Sequence, residues 1–238
     1  MQRILSFLLL TFLALGIQNI WAEPPASFPQ AKKLALNIFK QYPVTLYCQC
    51  RFDAKKNVDL SSCNMSQAEP IKRAHRIEWE HMMPAENFGR HFPCWREKLC
   101  TDKRGRAYRG RKCCEKISPE FRKAEAELFN LWPAVGVINQ MRSNYRYSLL
   151  EGSHNTYGCN FISDKKLRKA EPADISKGVV ARANLFMSDK YQINLSKSQR
   201  KLYEAWHRQF PPNAWEQTWA MAVAAIEGYE NPYISGKA

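Results

Sequence analysis

Residues Arg76 to Ala85 read RIEWEHMMPA. Arg76-Ile77-Glu78-Trp79-Glu80 alternates polar and apolar residues, the period of a half-buried strand. Pro84 limits how far a regular strand can run. Glu80 and His81 are chain neighbours, and neighbours on a regular strand point to opposite faces. They can serve one site only where the strand ends or bulges. Phosphodiester hydrolysis needs a base for water, a cation to neutralise charge, and a donor to hold the phosphate. An imidazole that titrates near neutrality suits the first role. A carboxylate oxygen suits a hard cation such as Mg²⁺. On their own, these two residues describe a packed or surface histidine equally well. The zinc-protease order H-E-x-x-H is absent, because Glu80 precedes His81 and no histidine lies four residues on.

Around this strand the chain reads as helix-rich. Residues 23–30 are proline-rich and read as a loose lead-in. Ala31 to Tyr42 carries Leu34, Ile38 and Tyr42 at four-residue spacing, a helix ended by Pro43. Thr45 to Cys48 is a candidate strand. Residues 89–114 are basic, carry four cysteines and lack a helical period, so they read as a disulfide-pinned loop. Ser118-Pro119-Glu120 starts a helix with Phe121, Ala124 and Leu128 on its buried face. A short helix from about Pro133 carries Asn139. Later helices span Pro172 to Met187, Ser196 to Phe210 and Asn213 to Glu227. The last two open on capping pairs, Ser196 with Gln199 and Asn213 with Glu216. Leu202, Trp206, Phe210, Trp215, Trp219 and Ala222 fall at helical spacing and read as core. The fold class expected is α+β: a mainly helical domain with a small sheet.

At the N-terminus, Met1-Gln2-Arg3 is followed by the apolar run Ile4 to Ile17, and then by Ala22 ahead of Glu23-Pro24-Pro25. That is the layout of a cleaved secretory signal over residues 1–22, and the run is shorter than the roughly 20 residues of a membrane span. Residues 23–238 would form one domain. Behind an export signal, the eight cysteines Cys48, Cys50, Cys63, Cys94, Cys100, Cys113, Cys114 and Cys159 read as four disulfides. Their spacings, Cys48-x-Cys50 and the adjacent Cys113-Cys114, do not suit paired zinc ligands. Many pairings are open at this point. Lys and Arg number 36 against 22 Asp and Glu, a net +14, which favours a polyanionic partner such as nucleic acid.

Taken in order, RIEWEHMMPA, GRKCC, LFNLWPAVGVINQMRSN and the C-terminal IEGYENPYI resemble the endonuclease I family of secreted and periplasmic bacterial nucleases. The resemblance runs from about Pro25 to Ile234. It implies a ββα-metal (His-Me finger) site in a mixed, mainly helical, disulfide-stapled domain. It implies cleavage of double- and single-stranded DNA, and of RNA, with little sequence preference, giving 5′-phosphates. His81 takes the place of the family's general base, and Glu80 and Asn139 those of its ligands to Mg²⁺ or another divalent cation such as Mn²⁺ or Ca²⁺. Arg111 in GRKCC fits the arginine that stabilises the phosphate, with Arg106 after Gly105 as its rival and Arg104 and Arg109 close by. Arg142, Asn144 and Asn130 are candidates to support the site. Family members often carry two cysteines near the C-terminus. This chain has none after Cys159 and instead has Cys100 and the Cys113-Cys114 pair, which implies a relocated bridge of Cys100 to Cys113 or Cys114. A periplasmic or secreted monomer is expected. The competing reading is a non-catalytic secreted binder of acidic polymers.

Overall fold

In the computed structural model, residues 23–237 are described, so the expected signal peptide over residues 1–22 lies outside the described residues. The helices are α1 (Phe28–Phe39), α2 (Ala85–Gly89), α3 (Pro93–Arg96), α4 (Arg111–Ile117), α5 (Pro119–Ala126), α6 (Gly136–Arg142), α7 (Asp174–Lys190), α8 (Lys197–Gln209), α9 (Ala214–Glu227) and α10 (Pro232–Ser235). The strands are β1 (Arg51–Phe52), β2 (Val58–Asp59), β3 (Ile77–His81), β4 (Cys100–Thr101), β5 (Ala107–Tyr108), β6 (Leu131–Val135), β7 (Arg146–Tyr147), β8 (Phe161–Asp164) and β9 (Lys169–Pro172). The expected mixed, mainly helical fold is present. The one small sheet is instead several: three two-stranded pairs and a three-stranded sheet in the order β7-β9-β8.

The pair that matters is β3 with β6. They run antiparallel with Ile77 opposite Val135, Glu80 opposite Trp132 and His81 opposite Leu131. Every residue of β6 is buried, which explains its continuous apolar sequence. Helix α6 follows β6 directly and packs on both strands. Its start lies close under the chain: a Cβ on Gly136 would come 2.5 Å from the carbonyl oxygen of Arg73. Only glycine lets α6 begin so near the segment before β3.

The β3-β6 pair is held in one continuous apolar core. Phe39 of α1 meets Trp132 at 4.9 Å between ring centroids, and Trp132 meets Trp219 of α9 at 4.7 Å. Trp206 and Trp219 are 3% and 1% exposed, so both are core, as their spacing predicts, and Trp215 is half-buried on Phe39 and Tyr42. Helix α7 is buried on nearly all sides and forms the centre of the helical part. Buried in that part, Arg182 of α7 pairs through two nitrogens with Glu216 of α9. Among the described residues, no helix is long and apolar enough to cross a membrane.

Several expectations are corrected. Helix α1 begins at Phe28, not Ala31, because Pro29 occupies the first turn, where a missing N–H costs nothing. The end of the proline-rich lead-in is therefore helix. Thr45 to Cys48 is a turn, not a strand; the Leu46 N–H donates to the Pro133 carbonyl instead of a ladder. Pro133 lies in β6, and the helix carrying Asn139 starts three residues later at Gly136. Helix α5 stops at Ala126, so Leu128 is buried from a short 3-10 turn, Leu128–Asn130. Helix α7 starts at Asp174 because Pro172 closes a strand that the sequence reading did not anticipate. Residues 89–114 are not a plain loop: they hold α3, the β4-β5 hairpin and the start of α4.

Four disulfides close the framework: Cys48–Cys159, Cys50–Cys63, Cys94–Cys114 and Cys100–Cys113. Cys100 pairs with Cys113, one of the two partners expected for it, and the neighbouring Cys94–Cys114 bridge ties α4 to α3.

Candidate active site

His81 is the last residue of β3. Beyond it the chain turns, and the Met82 N–H donates to the Asn130 carbonyl at 3.0 Å. Because the strand ends there, Glu80 and His81 are free to line the same cleft. That cleft, of about 270 Å³, is bounded by Trp79, Glu80, His81, Pro84, Ala85, Glu86, Trp95, Arg111, Asn139, Arg142, Ser143 and Asn144. The four residues singled out from the sequence (Glu80, His81, Arg111 and Asn139) are therefore brought together.

The His81 ring is fixed at one nitrogen. Nε2 lies 2.8 Å from the backbone carbonyl of Glu125, an oxygen that can only accept, so Nε2 carries the proton and Nδ1 is the basic nitrogen. Nδ1 has no hydrogen-bond partner among the described residues. Phe28 packs on the ring at 4.7 Å and Phe88 at 6.0 Å. Burial, reinforced by the positive charge of Arg111, lowers the imidazole to about 3 and keeps it neutral.

Glu80 is 1% exposed. Its Oε1 accepts from the Tyr47 hydroxyl at 2.8 Å and forms an ion pair with Arg142. Burial raises its carboxyl above the usual range, against the lowering effect of Arg142 and Tyr47. Oε2 has no hydrogen-bond partner among the described residues. On α6, the Asn139 amide N–H donates to Glu78 at 3.2 Å, and its Oδ1 has no hydrogen-bond partner among the described residues. Glu80 Oε2 and Asn139 Oδ1 are thus two uncommitted oxygens on one cleft. An oxygen-only pair of this kind suits a hard divalent cation such as Mg²⁺, Mn²⁺ or Ca²⁺, with water and phosphate completing the shell. Among the described residues there is no cluster of three or more His, Cys, Asp or Glu that could hold a metal alone.

Arg111 opens α4 right after Gly110, whose φ of +91° suits glycine. Its Nε donates to Glu125 Oε1 at 2.5 Å, and its guanidinium lies 5.2 Å from the Phe28 ring. The side chains of Arg106 and Arg109 are engaged elsewhere, and Arg104 lies on the same hairpin as Arg106. Arg106 pairs with Asp102 at 2.8 Å on the β4-β5 hairpin, the Arg104 backbone N–H donates to the same Asp102, and Arg109 donates to the Arg96 carbonyl at 2.6 Å. None of the three lines the cleft.

The supporting candidates have definite places. Arg142 is fully buried and donates to the carbonyls of His81 and Met82. Asn130 holds the same bend from the β6 side, accepting from the Met83 N–H at 2.6 Å and donating to the Met83 carbonyl at 3.0 Å. Asn144 lies on the cleft rim, donating to Glu86 and accepting from Arg168. Sequence reasoning missed Phe28, Tyr47, Glu78 and Glu125. Only Glu78 left a legible trace, since it lies two residues before Glu80 on the strand and so shares its face. Basic side chains continue on either side of the cleft. Lys32, Lys33 and Lys56 line a hollow that shares Trp79 and Asn139 with it, while Arg90, Arg146, Arg168 and Lys169 line one that shares Glu86 and Asn144.

The Endonuclease I family model matches residues 29–237. The chain is 38% identical to an extracellular deoxyribonuclease of Aeromonas hydrophila, over 87% of this chain and 88% of that protein. It is 37% identical to a periplasmic deoxyribonuclease of the same organism, over 98% of both chains. It is also 38% identical to an Endonuclease-1 of Buchnera aphidicola, over 92% of this chain and 87% of that protein. By the match along nearly its whole length, this chain belongs to the Endonuclease I family.

Proposed function

We propose that the chain is a divalent-metal-dependent, sequence-nonspecific endonuclease that hydrolyses phosphodiester bonds of DNA, and of RNA, to leave 5′-phosphates. Family membership and the deoxyribonuclease names of its relatives support nuclease action on DNA. The observation that carries the finer reading is the grouping at one cleft of a neutral imidazole held at Nε2 and two free oxygens, from Glu80 and Asn139. The antiparallel pair β3-β6 followed by α6 is read as the ββα unit of such a site.

In this reading the protein's own groups act as follows. Nδ1 of His81 takes the proton of the attacking water, and the Glu125 carbonyl stabilises the imidazolium that results by accepting from Nε2. Glu80 and Asn139 would hold a divalent cation through their free oxygens. A bound cation supplies Lewis-acid neutralisation of the charge that develops on the phosphate and the departing 3′-oxygen. Arg111, oriented by Glu125 and Phe28, pairs with the phosphate. The basic residues on either side contact further phosphates, which gives affinity without sequence information. The chain is read as an exported monomer, secreted or periplasmic. That location is supported by the relatives' names and by four disulfides, which persist in oxidising compartments.

The test is plasmid cleavage by the oxidised mature chain with Mg²⁺ or EDTA, beside His81→Ala, Arg111→Ala and Arg106→Ala. His81→Ala should lose about 10²- to 10⁴-fold in rate. Arg111→Ala should lose activity in a protein that stays folded, with some loss of stability because the buried Glu125 carboxylate loses its partner, and Arg106→Ala should stay close to the parent. Metal-independent cleavage, or near-full activity without His81, would refute the mechanism. A folded protein that binds DNA but never cuts it would return the reading to a polyanion binder.

A further inference from the structure

Glu78 is not part of any role assigned above, yet it lies beside the cleft with both carboxylate oxygens occupied. Arg73 donates to it through two nitrogens, Nε to Oε1 at 2.8 Å and Nη2 to Oε2 at 2.6 Å. Arg76 adds Nη2 to Oε1 at 3.1 Å. From the opposite side, Asn139 Nδ2 donates to Oε2 at 3.2 Å. Glu78 and Glu80 share a face of β3 because they are two residues apart. Asn139 and Arg142 share a face of α6 because they are three apart. The strand and helix therefore meet in two rungs, Glu78 with Asn139 and Glu80 with Arg142.

An asparagine amide presents either an acceptor oxygen or a donor NH₂ group, and a half-turn about its last bond exchanges them. Turned the wrong way, it would offer N–H groups to a cation. A carboxylate can only accept, so it admits only the orientation with the NH₂ toward Glu78 and Oδ1 toward the cleft. Glu78 cannot readily leave this task to become a ligand, because the two arginines hold it in place and compensate its charge.

We propose that Glu78 is a positioning residue for the metal site: its arginine-clamped carboxylate sets the orientation of the Asn139 amide. This inference rests on the reading of Asn139 as a metal ligand. It predicts that replacing the acceptor by an amide weakens cation binding, and that reversing the polarity of the pair repairs it. In Glu78→Gln, two amides face each other and Asn139 loses its preference. In Glu78→Gln/Asn139→Asp, the glutamine NH₂ donates to one aspartate oxygen and leaves the other for the cation.

The experiment is titration of Mn²⁺ into the oxidised mature protein without DNA, followed by calorimetry or by the electron paramagnetic resonance of free Mn²⁺. The proteins are the parent, Glu78→Gln, Asn139→Ala, Asn139→Asp and the double variant, each checked for native near-ultraviolet circular dichroism. Glu78→Gln should weaken Mn²⁺ about 10- to 100-fold, the usual cost of losing a group that orients a ligand. The Asn139→Asp change should improve affinity far more when combined with Glu78→Gln than in the parent. If Asn139→Ala binds Mn²⁺ like the parent, the ligand reading itself fails, and the inference with it. If Asn139→Ala is weakened but Glu78→Gln is not, or the two changes combine independently, the ligand reading stands and the positioning role of Glu78 is overturned.

Discussion

The guanidinium of Arg142 forms a buried ion pair with Glu80 while its two terminal nitrogens hold the carbonyl oxygens of His81, at 2.8 Å, and Met82, at 2.5 Å. One cation from α6 thus holds both a site carboxylate and the strand end that presents the imidazole. The Tyr147 ring lies against its other side, 4.7 Å away. Removing one partner of a buried pair leaves the other charged and unsolvated, which costs about 3–5 kcal/mol. Arg142→Leu should lower stability by that amount in urea unfolding. Arg142→Lys should fall between the two, since an ammonium keeps the charge but cannot span both carbonyls and the carboxylate. Unchanged stability in Arg142→Leu would show that this ion pair does not hold the end of β3.

Cys50–Cys63 and Cys100–Cys113 both close segments with a sequence separation of 13. Chain-entropy arguments therefore assign them similar stabilisation, about 2–4 kcal/mol each. Their surroundings differ, because only the second lies on the helix that begins with Arg111. Double serine variants of each pair, compared at a temperature where both stay folded, should show equal losses of stability. Cleavage should drop only in the variant lacking Cys100–Cys113. Equal activities would mean that Arg111 is placed by its contacts with Glu125 and Phe28 alone.

Two buried carboxyl groups share the Tyr229 hydroxyl, which lies 2.7 Å from Glu127 and 2.9 Å from Glu227. One hydroxyl has one proton to donate. Glu127 also accepts from the Tyr191 hydroxyl and the Phe129 N–H, so it is the better-satisfied anion. Burial, together with the charge of Glu127, raises Glu227 to about 7 against the lowering effect of the Leu128 N–H, the Tyr229 hydroxyl and Lys190. A carboxyl raised on folding binds its proton more tightly in the native state. Its contribution is fully present below the unfolded value and is lost as pH rises toward 7. Glu227→Gln mimics the protonated acid, so its stability advantage over the parent should grow between pH 5 and pH 8, by about 1–3 kcal/mol. Parallel unfolding curves at the two pH values would sink the shared-proton assignment.

What the sequence made legible was local. Glu80, His81, Asn139 and Arg111 stand in short ordered motifs, and α8 and α9 announce themselves through Ser196 and Asn213, whose side chains cap them as expected. What was hidden depends on partners distant in the chain. Thr45 to Cys48 has strand-like residues, but its hydrogen bonds go to Cys50 and Pro133. Tyr47 reaches Glu80 across 33 residues, and Glu125 reaches His81 through a backbone carbonyl that any residue could supply. The different placing of Arg111, on the cleft, and Arg106, tied to Asp102 on the β4-β5 hairpin, depends on the folded chain and leaves no local trace.

The cleft draws on both ends of the described chain. Phe28 covers His81, and Glu227 accepts from the Leu128 N–H at 3.0 Å, supporting the turn that leads through Asn130 into β6. A polypeptide emerges from its N-terminus, so the strand that pairs with β3 lacks this support until α9 has been made and docked. The last long helix to be made thus helps to shape a cleft whose lining residues stand far earlier in the sequence.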